Sequence, residues 1–466
     1  MVFSTIPFLF KFMPIFFGLY YLAPQKLRNY ILLAGSLTFY AIGTVEAPEH
    51  FAIFIASMAV DWGAAMLMER YPERKKWFLT LGVVFHLLAL GFFKYFTFLS
   101  GELRHLIPGL HLGEGWKILL PIGISFYTFQ GISYMADVYR GKVRAQSSFL
   151  KYCVYLSMFE QLIAGPIVTY PQIEPDLEKR HISVQDALRG FGIFVFGMGL
   201  KVLLANPIGK LWMDVQNIGF ESISTPLAWM SIFAFSFQLY FDFWGYSLMA
   251  IGMGKMLGFR LPKNFDFPYL SRSMTEFWRR WHMTLGSWFR EYVYIPLGGN
   301  RRGTARTVLN LRVVWVLTGV WHGAGYNFLL WGSLLFAVIF LEKYVWGRYL
   351  DRWPVLGHLY MLFLIPLSWA VFAIDDMSQM GVFFGRLFML DGQGPWSVFR
   401  TDYLKYLHLY WPFFLAAFCL SMHWPFELLK KLKNKWVITV LLAAIFAGSV
   451  YCMYRGLNDP FLYFRF

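Results

Sequence analysis

Residues 317–332 read LTGVWHGAGYNFLLWG and place one histidine, His322, beside a glycine-rich interruption between two apolar stretches. Ionisable side chains at membrane depth cost free energy, and they usually face a protein interior or a pathway. Glycines at such a point weaken a regular helix. The stretch therefore predicts a broken membrane segment that presents His322 to a buried polar chamber.

The composition of the whole chain indicates a membrane protein. Hydrophobic residues make up 58% of the 466 residues, aromatic ones 21% and charged ones only 15%. Soluble domains carry about 25% charged residues, so this composition argues against a soluble enzyme, a disordered chain and a nucleic-acid binder. The three cysteines, Cys153, Cys419 and Cys452, are far apart and indicate neither a disulfide framework nor a thiolate metal site.

Charge divides the loops between the apolar stretches into two sets. Basic loops such as 140–144 and 343–352 alternate with acidic or neutral ones such as 212–228. Cytoplasmic loops carry the Lys and Arg excess, so the basic loops are predicted inside and the N-terminus outside. Residues 6–24 are interpreted as a retained first helix. We expect an all-α polytopic membrane protein, one domain over residues 1–466, with about ten to twelve transmembrane helices.

Two apolar stretches connect one basic loop to another and therefore cannot be single spans. They are residues 149–170, interrupted at 165–166, and residues 307–341, interrupted at 323–325. Non-helical backbone at membrane depth is tolerated only where protein or a water-filled cavity surrounds it. Re-entrant or broken helices are expected in both stretches.

The longest basic loop, residues 255–306, contains ten Lys or Arg residues and three acidic ones. Within it, residues 276–292 (EFWRRWHMTLGSWFREY) place a Trp-rich face opposite a cationic face, which is typical of a helix lying in the membrane interface. The arginines either anchor this topology or receive an anionic, phosphate-bearing substrate from the cytoplasm. A glycine turn at 298–300 favours phosphate binding modestly. The candidate binding residues are Arg279, Arg280, Arg301, Arg302 and Asn300.

Histidines are the leading candidates for chemistry. Imidazole can remove a proton from a hydroxyl near neutral pH, which makes His322 the predicted catalytic residue. The alternative is a structural histidine that bonds the broken backbone. His282, at the edge of the interfacial helix, is assigned a supporting role, whereas His86, in an unbroken apolar run, is interpreted as structural. Asp61 is assigned no role.

A polar set on another helix is a candidate chamber lining. Gln238, Asp242 and Tyr246 recur at intervals of four, so they project from one helix face. They either line a substrate chamber together with Trp321 or form a buried hydrogen-bond network. The chain has no GxSxG elbow, HExxH, P-loop or Cys/His metal spacing, so a serine hydrolase, a zinc enzyme and an ATPase each lack their signal.

Long stretches of the chain resemble a known family, at 1–22, 119–141, 161–170, 238–303 and 317–332. Residues 119–141 read LLPIGISFYTFQGISYMADVYRG, and residues 161–170 read QLIAGPIVTY. The chain resembles the membrane-bound O-acyltransferases, in the bacterial branch of alginate O-acetyltransferases and related polysaccharide acetylation proteins. The combination of stretches 238–303 and 317–332 is highly specific for this family.

The resemblance implies that His322 is the central histidine of the family and His282 its second motif histidine. It implies a helical fold with a tunnel, which acetyl-CoA enters from the cytoplasm and from which the acetyl group leaves toward the periplasm, without a metal. The acceptor would be an exopolysaccharide of the alginate or cellulose type, reached through periplasmic partner proteins. The location would be the bacterial inner membrane, among membrane lipids. Glu160, Gly286 and Glu291 depart from the residues common in the branch, which bears on local geometry.

Several alternatives stay open. His322 would act as a general base, or it would form an acyl-histidine intermediate. One rival function is D-alanyl transfer to teichoic acid from an acyl carrier protein, against which the alginate-branch motifs count. The other is a non-enzymatic transporter with a substrate site at mid-membrane, which predicts symmetric halves that the sequence does not display.

Overall fold

The computed structural model describes residues 2–116, 118–163, 165–390, 401–431, 435–457 and 462. This part of the chain consists of helices and connecting turns without strands, and the prediction of an all-α polytopic membrane protein is confirmed. Short π-helical turns adjoin several helices, among them Leu200–Ala205 and Arg290–Tyr294. The α-helices are α1 (Met13–Leu22), α2 (Arg28–Gly43), α3 (Pro48–Arg70), α4 (Lys75–Leu90), α5 (Phe96–Leu106), α6 (Ile124–Tyr139), α7 (Phe149–Ser157), α8 (Phe159–Leu162), α9 (Tyr170–Glu178), α10 (Val184–Gly199), α11 (Asn206–Ile218), α12 (Thr225–Leu257), α13 (Met274–Arg280), α14 (Met283–Phe289), α15 (Thr304–His322), α16 (Tyr326–Leu341), α17 (Gly347–Arg352), α18 (Pro354–Ala373), α19 (Met377–Phe388), α20 (Asp402–Leu420), α21 (Trp424–Lys431) and α22 (Lys435–Tyr454).

Six helical runs of the described chain are long and apolar enough to cross a membrane, and the bent pair α20–α21 would be a seventh. The longest helix, α12, is not among them although its 33 residues extend about 50 Å at 1.5 Å per residue. Polar side chains, Gln238 and Asp242 among them, lower its mean hydropathy. The described chain thus has six or seven candidate spans by length and apolarity, and the number of about ten to twelve stays a prediction.

The contacts of the chain group into two compact units. Unit 1 comprises residues 1–194, 249–262 and 290–292, and unit 2 comprises residues 195–248, 263–289 and 293–466. Every residue that the sequence nominates for catalysis, substrate binding or chamber lining lies in unit 2. The candidate site can therefore be described within that unit alone.

A buried polar network ties three helices together in unit 1. Asp61 of α3 and His86 of α4 are both fully buried, and Asp61 Oδ1 lies 2.6 Å from His86 Nε2. Tyr152 of α7 donates a hydrogen bond to Asp61 Oδ2 at 2.8 Å. Buried polar groups are costly unless they are paired, so this arrangement stabilises the helix packing. It agrees with the interpretation of His86 as a structural histidine.

The stretch 149–170 is interrupted in the structure. It forms α7, the four-residue α8 and irregular backbone over 166–169 before α9 begins. Glu160 of α8 is fully buried, and neither of its carboxyl oxygens has a hydrogen-bond partner in the part of the chain that the structure describes. Glu160, which differs from the residue common in the family branch that the chain resembles, thus places an acidic group in the interior of unit 1.

In unit 2, α15 and α16 form an antiparallel helical hairpin rather than one span. The helices approach so closely that a Cβ atom at Gly319 would lie 2.3 Å from the carbonyl oxygen of Phe328. A Cβ atom at Gly332 would lie 2.5 Å from the carbonyl oxygen of Trp315. Glycine is therefore needed at both positions, and it holds the end of α15 against the start of α16.

The segment 276–292 differs from the single interfacial helix that its pattern predicts. It is divided into α13 and α14 at His282, whose φ is +44°. Its aromatic side chains pack against other helices of the protein: Trp281 is 3% exposed, and its ring centroid lies 5.0 Å from that of Trp369 on α18. The pattern identified an apolar face correctly, but it could not distinguish a lipid neighbour from a protein neighbour.

Candidate active site

His322 is the last residue of α15, directly before the glycine-rich break. It is only 6% exposed, and its Nδ1 lies 2.7 Å from the carbonyl oxygen of Thr318. A carbonyl oxygen can only accept a hydrogen bond, so Nδ1 carries the hydrogen and the neutral ring has its lone pair on Nε2. The end of a helix also favours a positive charge, which stabilises the imidazolium that forms when Nε2 takes a proton.

Aromatic rings enclose this imidazole. The ring centroids of Trp321, Trp331 and Phe372 lie 4.8, 5.0 and 5.5 Å from that of His322, and all three contacts are edge-to-face. Asn327 donates a hydrogen bond to the carbonyl of Phe372 at 2.9 Å, which ties the start of α16 to α18. Packing and one hydrogen bond thus set the direction of the ring before a substrate binds.

His282 is held by an asparagine that the sequence did not single out. Asn264 Oδ1 accepts hydrogen bonds from His282 Nδ1 at 3.1 Å and from Thr284 Oγ1 at 3.0 Å. Its Nδ2 donates to Ser247 Oγ of α12 at 3.1 Å, which fixes the direction of the amide. The positive φ of His282 is uncommon for a residue with a side chain, and such conformations persist where the surroundings determine them, often at functional sites.

The two histidines are neighbours of the same tryptophan. The ring centroid of Trp321 lies 4.8 Å from that of His322 and 6.1 Å from that of His282. The pKa of His282 lies well below its ordinary value of 6.5. Burial is the larger cause, and electrostatic repulsion from His322 is the smaller one. His282 is therefore a neutral group, suited to orienting a substrate rather than to holding a proton.

The carboxylate predicted on α12 has a lysine partner. Asp242 Oδ1 lies 2.5 Å from Nζ of Lys201, which is only 1% exposed and also donates to Asn206 Oδ1 at 3.0 Å. Asp242 Oδ2 accepts a hydrogen bond from the backbone N–H of Leu462 at 2.8 Å. These contacts favour the buried network over the chamber lining, because both carboxyl oxygens are already engaged. Lys201 lies in the π-helical turn Leu200–Ala205.

Another face of α12 is turned toward His282. The ring of Phe243 lies edge-on to His282 at a centroid distance of 4.7 Å, and Ser247 bonds Asn264. Gln238 packs over Gly209 of α11, and Tyr246 is fully buried. The prediction that the polar residues share a face follows from their spacing, but their role in lining a substrate chamber stays a prediction.

The predicted anion-binding arginines divide into paired and exposed ones. Arg280 forms an ion pair with Glu276 at 2.8 Å and donates to the carbonyl of Asp266. Arg279, Arg301 and Arg302 are exposed. Their charges remain accessible to an anionic ligand, whereas that of Arg280 is partly neutralised.

The turn at 298–300 is built by glycines in the left-handed region and by one asparagine. Gly298 and Gly299 have φ values of +108° and +56°, which residues with a side chain rarely adopt. Asn310 of α15 donates to the carbonyl of Gly299 at 2.9 Å. Asn300 and Arg301 are thereby presented at the surface on an anchored turn.

Sequence reasoning missed Lys201 and Asn264. Lys201 had a signal, because it is an isolated charge within the apolar stretch 188–207. Asn264 had no sequence signal beyond its place in the basic loop 255–306. Among the described residues, no group of three or more His, Cys, Asp or Glu side chains is arranged to hold a metal ion. Unit 2 brings two imidazoles, those of His282 and His322, close to Trp321.

The fold and the site define a class of protein: a multi-pass helical membrane protein with two buried histidines at helix breaks. Residues 142–353 match the membrane-bound O-acyltransferase family, and this range contains both histidines. The chain belongs to this family and is an acyltransferase.

Similar proteins support this assignment over most of the chain. The probable alginate O-acetylase AlgI of Pseudomonas aeruginosa is 38% identical over 406 residues, which cover 85% of this chain and 76% of that protein. The corresponding protein of Azotobacter vinelandii is 37% identical over 407 residues, covering 85% and 79%. The peptidoglycan O-acetyltransferase of Helicobacter pylori is 34% identical over 371 residues, covering 72% of this chain and 69% of that one.

Proposed function

We propose that this protein is a membrane O-acetyltransferase that passes an acetyl group from cytoplasmic acetyl-CoA toward an exopolysaccharide of the alginate or cellulose type. The names of its relatives support acetyl as the transferred group and a polysaccharide as the final acceptor. The observation that carries the proposal is the hydrogen bond from His322 Nδ1 to Thr318, which leaves Nε2 as the basic nitrogen.

In this mechanism His322 is a general base. Nε2 takes the proton of an acceptor hydroxyl while the oxygen attacks the thioester carbonyl of acetyl-CoA. The new C–O bond forms, the C–S bond breaks, and the coenzyme thiolate recovers the proton from the imidazolium. Neutral His282, fixed by Asn264, orients the acyl group beside Trp321. Gln238 and Tyr246 would line the chamber, and Asp242 would support its wall through the contact with Lys201.

The charge distribution sets the proposed orientation. The basic loops lie at the cytoplasmic face of the inner membrane, and the N-terminus is periplasmic. Arg279, Arg301, Arg302 and Asn300 would receive the phosphates of acetyl-CoA, with Arg280 holding the segment in place through Glu276. Since neither coenzyme nor polymer crosses a bilayer, periplasmic partner proteins would complete the transfer.

Turnover of acetyl-CoA tests this function directly. Full-length protein in lipid nanodiscs is supplied with acetyl-CoA, and release of free thiol is followed with and without the polysaccharide and candidate periplasmic partners. We expect thiol release that depends on an acceptor. A protein that releases no thiol with any acceptor, but binds or moves a solute, would instead be a transporter, and use of a D-alanyl carrier protein would identify the teichoic acid reaction.

The arginines have a separate test. Replacing Arg279 and Arg301 by glutamine removes two exposed charges, so we expect the KM for acetyl-CoA to rise about tenfold at low salt, with kcat little changed. Arg348→Gln is the control, because Arg348 is equally exposed but belongs to another basic loop. An unchanged KM in the double variant would return these arginines to a topological role.

A further inference from the structure

An apolar cavity of about 460 Å³ lies in unit 2 and shares no residue with the candidate active site. Its walls come from α12, from the turn before α13, and from α18 and α20. Its volume lies within the 300–1,000 Å³ or so that is usual for small-molecule sites. The lining residues are Phe233, Ser236, Phe237, Tyr269, Leu270, Val355, His358, Leu359, Met361, Leu362, Ile365, Pro366, Phe418, Ser421 and Met422.

The exposed residues of the cavity are mainly apolar, with His358 among them. Val355, Leu359, Leu362 and Phe418 line it and are 73%, 51%, 50% and 56% exposed. They belong to α18, a candidate span of the described chain, and to α20, which passes the same criteria together with α21 as a bent pair. Exposed leucine and phenylalanine on a spanning helix face hydrocarbon, so the cavity opens toward the lipid tails.

The inner end offers a few polar groups. Ser236 is 3% exposed, and its Oγ has no hydrogen-bond partner within the described residues. Tyr269 donates to the carbonyl of Ser236, and Ser421 donates to the carbonyl of Ala417. Three hydroxyl groups and the exposed imidazole of His358, in a wall that is otherwise apolar, suit an amphiphile better than a polar solute.

We propose that this cavity binds an acyl chain of a membrane phospholipid. The cavity is large enough to hold a stretch of alkyl chain. Water is a poor occupant, because an ordered water needs two to four polar partners. The tail enters between α18 and α20 and packs against Ser236 and Ser421.

The occupant also supports the helix that leads to the active site. The N-terminal half of α18 lines the cavity, while Phe372 near its C-terminal end contacts His322. An unfilled cavity forfeits dispersion contacts along its lining, so a bound tail stabilises α18. Removal of lipid should therefore lower the thermal stability of the protein.

Photolabelling with a lipid tests the site. The full chain is placed in nanodiscs of phosphatidylethanolamine that contain a trace of the same lipid with a mid-chain diazirine, and labelled peptides are mapped by mass spectrometry. Ser421→Phe, at the residue directly after α20, fills the cavity. Leu415→Phe is the matched control on α20 itself, where Leu415 is 54% exposed. Ser236→Val is a milder filling variant in case Ser421→Phe does not fold.

We expect residues 355–366 and 418–422 to be labelled more strongly than other lipid-facing segments. Filling the cavity should reduce that labelling about fivefold, while Leu415→Phe leaves it unchanged. On delipidation the filled variant should lose less thermal stability than the wild type, because phenylalanine replaces the tail. Labelling at the level of the Leu415 segment, or labelling that both filling variants leave unaltered, would overturn the proposal.

Discussion

Two buried histidines, His322 in unit 2 and His86 in unit 1, differ in their hydrogen-bond partners and in the backbone around them. His86 Nε2 bonds the Asp61 carboxyl, which also accepts from Tyr152, and all of this lies inside regular helices at 0% exposure. His322 Nδ1 bonds a backbone carbonyl at a helix end, beside an interruption of the hairpin. The first histidine is held by a carboxylate between continuous helices, whereas the second is held by a backbone carbonyl where its helix ends.

The two histidines differ in their backbone surroundings as well as in their hydrogen-bond partners. Asp61 and His86 both lie within regular helices, α3 and α4, that continue on either side of them. α15 ends at His322, and the extended residue Gly323 follows. A general base needs a defined proton position, and the hydrogen bond at the end of α15 defines one for His322. The following predictions set the two histidines against each other.

Replacement of His322 has the largest expected effect. Because it removes the general base, His322→Gln should lower acetyl transfer about 10²–10⁴-fold while thermal unfolding in detergent changes little. The measurement is thiol release from acetyl-CoA per folded protein. His408→Gln is the matched control, since His408 is exposed on α20. Activity within a factor of two or so of the wild type in His322→Gln would contradict the assigned role.

Replacement of Asp61 should act in the opposite way. Asp61→Ala leaves His86 and Tyr152 without their buried partner, so we expect the free energy of unfolding to fall by about 3–5 kcal/mol. Unfolding is followed by tryptophan fluorescence in mixed micelles. Transfer activity per folded molecule should persist, and Glu49→Ala, an exposed carboxylate on the same helix, should change neither quantity. Loss of activity with full stability would give unit 1 a catalytic role that the comparison denies it.

Asn264 sharpens the comparison, because it acts on the reaction only through His282. Asn264→Ala removes the acceptor of His282 Nδ1, and we expect kcat to fall about tenfold with KM nearly constant, equivalent to about 1.4 kcal/mol. Asn264→Asp keeps an acceptor oxygen and should recover most of the loss. Steady-state kinetics check both variants. Equal losses of kcat in Ala and Asp variants would point to a purely structural asparagine.

The smallest effect concerns pH. The folded-state pKa of His282 lies below its ordinary 6.5, so below about pH 6.5 the unfolded chain binds a proton that the folded chain does not. Stability should therefore fall as pH drops through this range, with His282 contributing at most about 1.4 kcal/mol per pH unit. His282→Gln should show a shallower slope in pH-dependent unfolding, whereas exposed His408→Gln should not. Identical slopes in all three proteins would rule out a depressed pKa.

Much of the site could be predicted from local patterns. The glycine interruption located the helix break at 323–325, and an ionisable residue beside it identified His322. The pattern of 276–292 failed because an aromatic face looks the same whether lipid or protein covers it. The division at His282 depends on Asn264, which reaches it from 18 residues away in the chain. No spacing rule within one helix could reveal that bond.

The sequence alone determined the class of the protein, the place of its broken helix and the residue types available for chemistry. These follow from composition and local periodicity, because burying apolar side chains and breaking a helix with glycine are local physical preferences. Only the tertiary structure decided that Asp242 pairs with Lys201, that Phe243 rather than Asp242 contacts His282, and which imidazole nitrogen of His322 carries its hydrogen. Periodicity determines which side chains share a helix face, but the neighbouring helix determines what that face meets.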